Sequence, residues 1–419
     1  MNKKKGNNMT PRLRFEEFRE EPVWKERKLY EVLKEHGSKS TGAEEVFSVS
    51  VHKGIINQIE HLGRSFSAAN TDNYKRVFPG DIVYTKSPTG NFPFGIIKQS
   101  KVVKPVIVSP LYGVFTPETE ALGCILDAYF ESPENTINYL SSIVQKGAKN
   151  TINISNETFL SKALFLPSNH EEQQKIAATL TSLDDLITAQ TEKIKALQAH
   201  KKGLMQQLFP VEGERVPRVR FEEFRDAGEW EERTLGDENI ARFVTKKTPL
   251  EKLNLDSYIS TENLLPDYGG VTPASKLPPS GTFTQFQIGD ILISNIRPYL
   301  KKVWAAEKEG TASNDIIIIR AVSTINKTFL SFLLKNDCFI TYVMGGAKGL
   351  KMPRGDKSLI KEYRIGFPEK AEQQKIAATL TSLDDLITAQ TQKLEALKAH
   401  KKGLMQGLFV EAEGVESRI

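Results

Sequence analysis

The sequence predicts a tandem α/β protein, two mixed α/β (α+β) domains that are each followed by one long helix. Three observations predict it. A 38-residue segment recurs almost unchanged 200 positions later, that segment has the 4-3 apolar spacing of a coiled-coil helix, and the stretches before it carry β-branched runs punctuated by glycine and proline. At 419 residues the chain has room for two to four domains of roughly 100–200 residues.

The duplication sets the frame. Residues 172–209 (EQQKIAATLTSLDDLITAQTEKIKALQAHKKGLMQQLF) and 372–409 agree at 33 of 38 positions, the second copy differing only at 392, 394, 395, 398 and 407. Upstream, PRLRFEEFR at 11–19 and Trp24 recur as PRVRFEEFR at 217–225 and Trp230. Between these segments only islands match, such as Gly80-Asp81-Ile82 with Gly289-Asp290-Ile291, and Gly147-Ala148-Lys149 with Gly346-Ala347-Lys348. The chain therefore parses into an N-terminal arm and entry motif (1–24), a first middle (25–167), a first helix (168–209), a linker with the repeated entry motif (210–230), a second middle (231–368), a second helix (369–409) and a C-terminal tail (410–419). Segments kept alike imply one job done twice, whereas middles that share a frame but not a surface imply two different ligands.

In the first helix Ile176, Leu180, Leu183, Ile187, Gln190, Ile194, Leu197, Lys201, Leu204 and Leu208 follow the heptad seam, and Ile376, Leu380, Leu383, Ile387, Leu394 and Leu397 repeat it. Ser168 with Glu171 is the expected capping box of the first copy. Each rod is roughly 57 Å long at 1.5 Å per residue, with Gly203 and Gly403 as places to kink or stop. One such helix cannot cover its own apolar stripe. Pairing the two within one molecule buries both, as does pairing between chains, and spacing does not choose. Gln190, Lys201, Gln390 and Lys401 put polar groups in the seam, where they either fix register or lie at its edge with their ends in water. Asp184 and Asp185, with their copies at 384 and 385, sit on different helix faces and are expected to be partner-facing or solvated.

The middles read as strands at 80–85, 101–108, 289–294 and 315–320, with helices at 136–145 and 327–342. Overall charge is a mild +5, from 57 basic and 52 acidic residues, so its placement matters more than its sum. Residues 82–117 contain no acid while Lys86, Lys98, Lys101 and Lys104 accompany Ser87, Thr89 and Asn91. The second middle offers Asn295, Arg297, Tyr299, Lys301 and Lys302, then Lys348, Lys351 and Arg354; Lys149 closes the first Gly-Ala-Lys island. These are candidate DNA-facing residues: Arg297 suits bidentate guanine contact, Asn295 suits adenine, and lysines suit phosphate. A solvated basic face is the plainer reading of each.

Several classes are excluded by pattern. No apolar run approaches 18 residues, so no membrane span is expected. Lys3-Lys4-Lys5 has no apolar region behind it, which predicts no secretory signal and a cytoplasmic protein. Cys124 and Cys338 lack C-x-x-C spacing, arguing against disulfide and zinc scaffolds. There is no phosphate loop, no Asn/Asp-Pro-Pro-Tyr/Phe box (Leu277-Pro278-Pro279-Ser280 lacks its flanks), and the only E-x-K, Glu26-Arg27-Lys28, precedes the first aspartate, Asp72. No catalytic residue, metal or cofactor is therefore expected in this chain.

Leu166-Pro167 followed by Glu172-Gln173-Gln174-Lys175-Ile176 and Leu183-Asp184-Asp185-Leu186-Ile187, repeated from Phe367-Pro368 through Ile387, resembles the specificity subunit of type I restriction-modification systems. The Gly-Asp-Ile islands are similar to a strand motif of that family's target-recognition domains. The resemblance runs from about Pro11 to Phe409 and implies two recognition domains, each reading one half of a split, asymmetric sequence of double-stranded DNA. It further implies two long helices packed as an antiparallel coiled coil that sets the spacer and docks two methyltransferase subunits. Those subunits would use S-adenosylmethionine on a flipped adenine, and restriction subunits would use ATP and Mg2+. The rival readings are a coiled-coil adaptor with basic protein-binding domains and a single-chain restriction enzyme.

Overall fold

A computed structural model describes residues 10–64, 67, 68, 70–146, 152–250, 253–349 and 351–409. Lys149 and the first Gly-Ala-Lys island lie outside them. The chain divides into two compact units, residues 1–191 with 393–419, and residues 192–392. Each unit thus combines one mixed α/β domain with the first part of one long helix and the last part of the other.

In the first unit Leu33–Glu35, Gly113–Pro117, Ile82–Tyr84 and Ile97–Gln99 form an antiparallel four-stranded sheet in that order. Because side chains alternate across a strand, the sheet serves two cores. Ile82, Tyr84, Ile97 and Phe115 pack with helices Glu120–Glu131, Pro133–Leu140 and Asn156–Ser161, while Val83 and Val114 pack with the ribbons Phe47–Ser50/Gly54–Asn57 and Lys75–Val77/Val106–Val108.

The second unit repeats the scheme with Ala241–Phe243, Ile316–Ala321, Ile291–Ser294 and Val303–Ala305. Ile291, Ile293, Ile317 and Ile319 face helices Lys327–Leu334 and Asp337–Gly345, and Leu292, Ile316 and Ile318 face a second sheet containing Tyr258–Ile259, Thr282–Phe286 and Gly310–Ala312. Burial on both faces is why these strands are continuously apolar.

Three local expectations change. The run 101–108 is strand only at Val106–Val108, with Val103 left 96% exposed in the preceding turn. The helix placed at 136–145 is Pro133–Leu140, begun by the Ser132 hydroxyl accepting from the Asn135 N–H with proline in the first turn, and 145–146 is strand. The stretch 327–342 is two helices, split where Asn336 caps the second by accepting from the Cys338 N–H.

The long helices are His170–Leu208 and Lys370–Leu408, and both pass through Gly203 and Gly403 without a break. The expected Ser168 box does not form. Asn169 is the cap, its side-chain oxygen accepting from the Glu171 and Glu172 N–H groups at 2.8 and 3.3 Å. Direction is settled inside each unit. In the first, Ile176 and Leu180 share a core with Leu404, Leu408 and Phe409. In the second, Ile376 and Leu380 share one with Leu204, Leu208 and Phe209. The start of each helix meets the end of the other, so the pairing is antiparallel and within one chain.

The seam is less uniform than its spacing suggests. Ile176, Leu180, Ile376 and Leu380 are buried in the domain cores, Ile194, Leu394 and Gln190 are buried, and Leu183, Ile187, Leu197, Leu383, Ile387, Leu397 and Gln390 are only half-buried. Two of its polar positions make ion pairs. Lys401 meets Asp184 at 2.6 Å and Glu131 at 2.7 Å, and Lys201 meets Asp384 at 2.5 Å. Asp184 and Asp384, expected to be solvated or partner-facing, therefore bind lysines of the opposite helix. Burial opposes the Lys401 charge, but Glu131 and Asp184 outweigh it and its pKa is raised.

Each entry motif is clamped to a helix start. Glu172 accepts from Arg14 Nε and Nη2 at 2.7 and 2.8 Å and from Trp24 Nε1 at 3.1 Å. Glu372 accepts from Arg220 Nε and Nη2 at 2.8 and 2.7 Å, while the buried Trp230 Nε1 has no partner among the described residues. The next residue ties the domain join, Gln173 Nε2 donating to the Pro167 carbonyl and Gln373 Nε2 to that of Pro368, both at 2.8 Å. Both carboxylates are about 1% exposed. Removing one partner of such a pair strands a buried charge. Glu172→Ala is expected to lower the unfolding free energy of its unit by about 3–5 kcal/mol in urea titrations. Glu17→Ala, which removes the half-exposed contact to Lys175 at 3.3 Å, is expected to change it by less than about 0.5 kcal/mol.

Candidate nucleic-acid interface

The Gly-Asp-Ile islands root one hairpin in each unit. Gly80 and Gly289 take positive φ (85° and 90°), which a side chain would strain. The following aspartate turns inward. Asp81 accepts from the Phe78 N–H at 2.7 Å, from Thr116 Oγ1 at 2.9 Å, and lies 3.0 Å from His36 Nε2. Asp290 accepts from the Gln287 N–H at 2.8 Å and bidentately from Arg320 at 2.7 Å. Rigid roots of this kind allow the tips to differ.

The first tip follows Ile82–Tyr84 and returns through Ile97–Gln99. Ser87, Thr89 and Asn91 are exposed on it, with Phe92 buried beneath. Lys86 stands at φ 54°, half-buried, its pKa lowered by burial and by Lys75. Gly95 lets the two arms close, since a Cβ there would lie 2.9 Å from the Lys86 nitrogen. Lys98 and Lys101 are not on this tip. Lys98 is buried in its strand, 3.7 Å from Asp127, and Lys101 reaches Asp184 at 3.6 Å. Both therefore belong to the ion pairs beside the long helices. Asp127 itself is held above the ordinary carboxylate range by burial, against the pull of Lys98.

The second tip is two loops clamped together. The Arg297 N–H donates to the Pro353 carbonyl at 2.8 Å, and the Gly355 N–H to that of Asn295 at 3.0 Å. Arg297 and Lys301 flank a one-turn 3-10 helix, Pro298–Leu300, and both have positive φ (52° and 53°), strain of the kind that collects where a surface has been shaped for use. Arg297, Tyr299 (48%), Lys348, Lys351 and Arg354 are exposed there. Acids hold several of these cations, Arg354 at 3.0 Å from Asp315 and Lys348 at 3.0 Å from Asp356.

Lys301 is pinned to Asp337 at 2.6 Å and Lys302 to the Thr261 carbonyl at 2.6 Å, with the Lys302 pKa lowered by burial and by Arg297. Asn295 keeps its Oδ1 buried beside Gly355, without a partner among the described residues. Sequence reasoning missed Asp315, Asp337 and the strained Asp267-Tyr268 pair, whose N–H groups donate to the Leu300 and Lys301 carbonyls. No signal in the sequence joins that loop to this one. Among the described residues no group of three or more His, Cys, Asp or Glu side chains gathers as a metal site, and no helix is long and apolar enough to cross a membrane.

Each tip thus presents hydroxyl, amide and cationic donors and acceptors on a rigid hairpin, the equipment for reading base edges and holding phosphate. The family model described as type I restriction modification DNA specificity domain matches residues 24–199 and again 227–399. A Methanocaldococcus jannaschii protein assigned as the MjaX type I restriction enzyme specificity subunit is 27% identical over 255 residues, 57% of this chain and 56% of that one. The MjaIX specificity subunit of the same organism is 28% identical over 128 residues, 30% and 29% of the two chains. The chain thus spans little more than half the length of the first relative and less than a third of the second. In fold it is similar to the type I restriction-modification S subunit from M. genitalium (TM-score 0.59, 15% identity, 96% and 100% covered). It is also similar to a chain from a structural study of complex assembly and conformational transition in the type I system (TM-score 0.52, 17% identity, 92% and 96% covered).

Gly355 is a close packing point between the two loops of the second tip, where a Cβ would stand 2.9 Å from Asn295 Oδ1 and 3.1 Å from Val343. Gly355→Ala is expected to part the two loops, raising hydrogen exchange at the Arg297 amide by about tenfold, or ~1.4 kcal/mol of local opening. Amides of Ile316–Ala321 are expected to be unchanged in the same measurement.

Proposed function

Because the chain belongs to the type I restriction-modification DNA specificity family, we propose that it is the subunit that addresses such a system to its DNA target. The observation that carries this reading is the contrast between the repeats. Two helices identical at 33 of 38 positions accompany two hairpin tips that share a root and almost nothing else. Like helices suit two copies of one partner, the methyltransferase subunit, and unlike tips suit two unlike half-sites. The recognition domains are residues 25–167 and 231–368, and the helix pair sets the unread spacer between half-sites.

In this reading Ser87, Thr89 and Asn91 face the first half-site, and Arg297 and Tyr299 face the second, with Lys348, Lys351 and Arg354 toward phosphate. The chain supplies address and no chemistry. Adenine methylation with S-adenosylmethionine belongs to the methyltransferase subunits, ATP- and Mg2+-dependent cleavage belongs to restriction subunits, and the assembly works in the cytoplasm. Single-molecule methylome sequencing with and without this gene tests it: a bipartite adenine motif should vanish with the gene, and no change of motif would refute it.

Two variants refine the test. Four residues inserted near Gln190 should lengthen the spacer and leave both half-sites unaltered in the methylome. Arg297→Ala should relax or weaken the second half-site alone, losing about 1–3 kcal/mol of discrimination at one base pair.

A further inference from the structure

The first unit contains a cleft of about 1800 Å³ between the Phe47–Asn57 ribbon, the 101–106 turn, helix Glu120–Glu131 and the long-helix segments around Asp184 and Lys402. Among the described residues eight lysines and four carboxylates line it, and no arginine does. The charges fall into two groups. Those that are buried are matched, Lys98 by Asp127 and Lys401 by Glu131 and Asp184. Of the exposed ones Lys398 is held by Glu395 at 2.8 Å, and the remaining Lys53, Lys101, Lys104 and Lys402 outnumber the exposed Glu134. Lys101 and Lys104 have only long contacts, 3.6 Å to Asp184 and 3.7 Å to Glu45, and among the described residues no carboxylate lies within 4 Å of Lys53 or Lys402.

The twin position makes the excess informative. Lys202, the copy of Lys402 in the other helix, is held by Asp337 at 3.3 Å in the second unit. One lysine of a duplicated pair is neutralised, and the other is left facing an open cleft.

We propose that this cleft holds the sugar-phosphate backbone of a DNA duplex outside the bases that the hairpin tips read. The inference rests on the DNA-addressing function proposed above. Its chemistry follows from the lysines. Mobile ammonium groups without a guanidinium among them bind phosphate as point charges and lack the rigid planar fork with which arginine grips a base or a carboxylate. The hold is therefore electrostatic, independent of sequence and strongly dependent on salt.

The test uses the full chain assembled with its methyltransferase subunits, and duplexes with and without the methylated motif, titrated with salt. Lys53→Gln/Lys402→Gln is expected to weaken both duplexes equally, about tenfold at physiological salt, and to reduce the slope of log K against log[salt] by about 2, near one per lost phosphate contact. The methylated motif should stay the same, and Lys202→Gln, whose lysine is already paired, should leave the slope unaltered. An unchanged slope in the double variant overturns the cleft as a backbone site. So does loss of subunit assembly with DNA binding intact, which would mark the cleft as a surface for an acidic protein. Absence of salt-dependent duplex binding by the unsubstituted assembly would instead overturn the DNA-addressing function itself.

Discussion

A carboxylate taken almost wholly out of water at the start of each long helix is the constraint around which both units are built. A buried carboxylate left without a partner is costly, and the entry motif supplies Glu172 and Glu372 each with a guanidinium, Arg14 or Arg220. The pairing does more than neutralise. Arg14 spends its remaining donors on the carbonyls of Glu21 and Pro22, and Arg220 on those of Ala227 and Gly228, so each guanidinium fixes the chain just before the tryptophan that enters the domain core. Replacing such a pair by apolar side chains of like volume often costs little. Its value here is geometric, because it sets helix start, entry strand and domain join in one place.

From that point the domain has little freedom. Gln173 and Gln373 close the join, and the strands Lys25–Lys28 and Glu231–Thr234 pair with Ala163–Leu166 and Arg364–Phe367, the strands that lead into the helices. The sheets follow, each sandwiched between two apolar layers. Their Gly-Asp-Ile roots hold a buried aspartate, so the hairpin leaves the sheet at a fixed angle whatever its tip contains. A surface can then vary without disturbing the frame.

The two halves are not equivalent, and their differences have local causes. The entry motif crosses both helix ends, the Leu13 N–H donating to the Gly407 carbonyl at 2.8 Å and the Val219 N–H to that of Gln207 at 3.1 Å. At Gly407 a Cβ would stand 2.9 Å from the Leu13 Cβ. Glu192 with Lys195 in one helix becomes Glu395 with Lys398 in the other, an ion pair kept and moved along the chain. Trp24 reaches its glutamate and Trp230 does not. In the two tryptophans an identical residue has met different neighbours.

The duplication, the helices and their seam, the strand runs at 289–294 and 315–320 and the family were all legible in the amino-acid sequence. Each depends on spacing along the chain, and periodicity is a local property. That the helices pair within one chain and antiparallel was not legible in the heptads, because a seam fits any partner with the same stripe. It was decided by Leu404 and Leu408 meeting Ile176, and Leu204 and Leu208 meeting Ile376. Nor did composition reveal which basic residues are free. Lys86, Lys98 and Lys301 look alike in a list of cations, and only folding brought Asp127 to one, Asp337 to another and burial to the third. Charge is written in the sequence, but its availability depends on what lies within a few ångströms, and that is set by contacts between residues far apart in the chain.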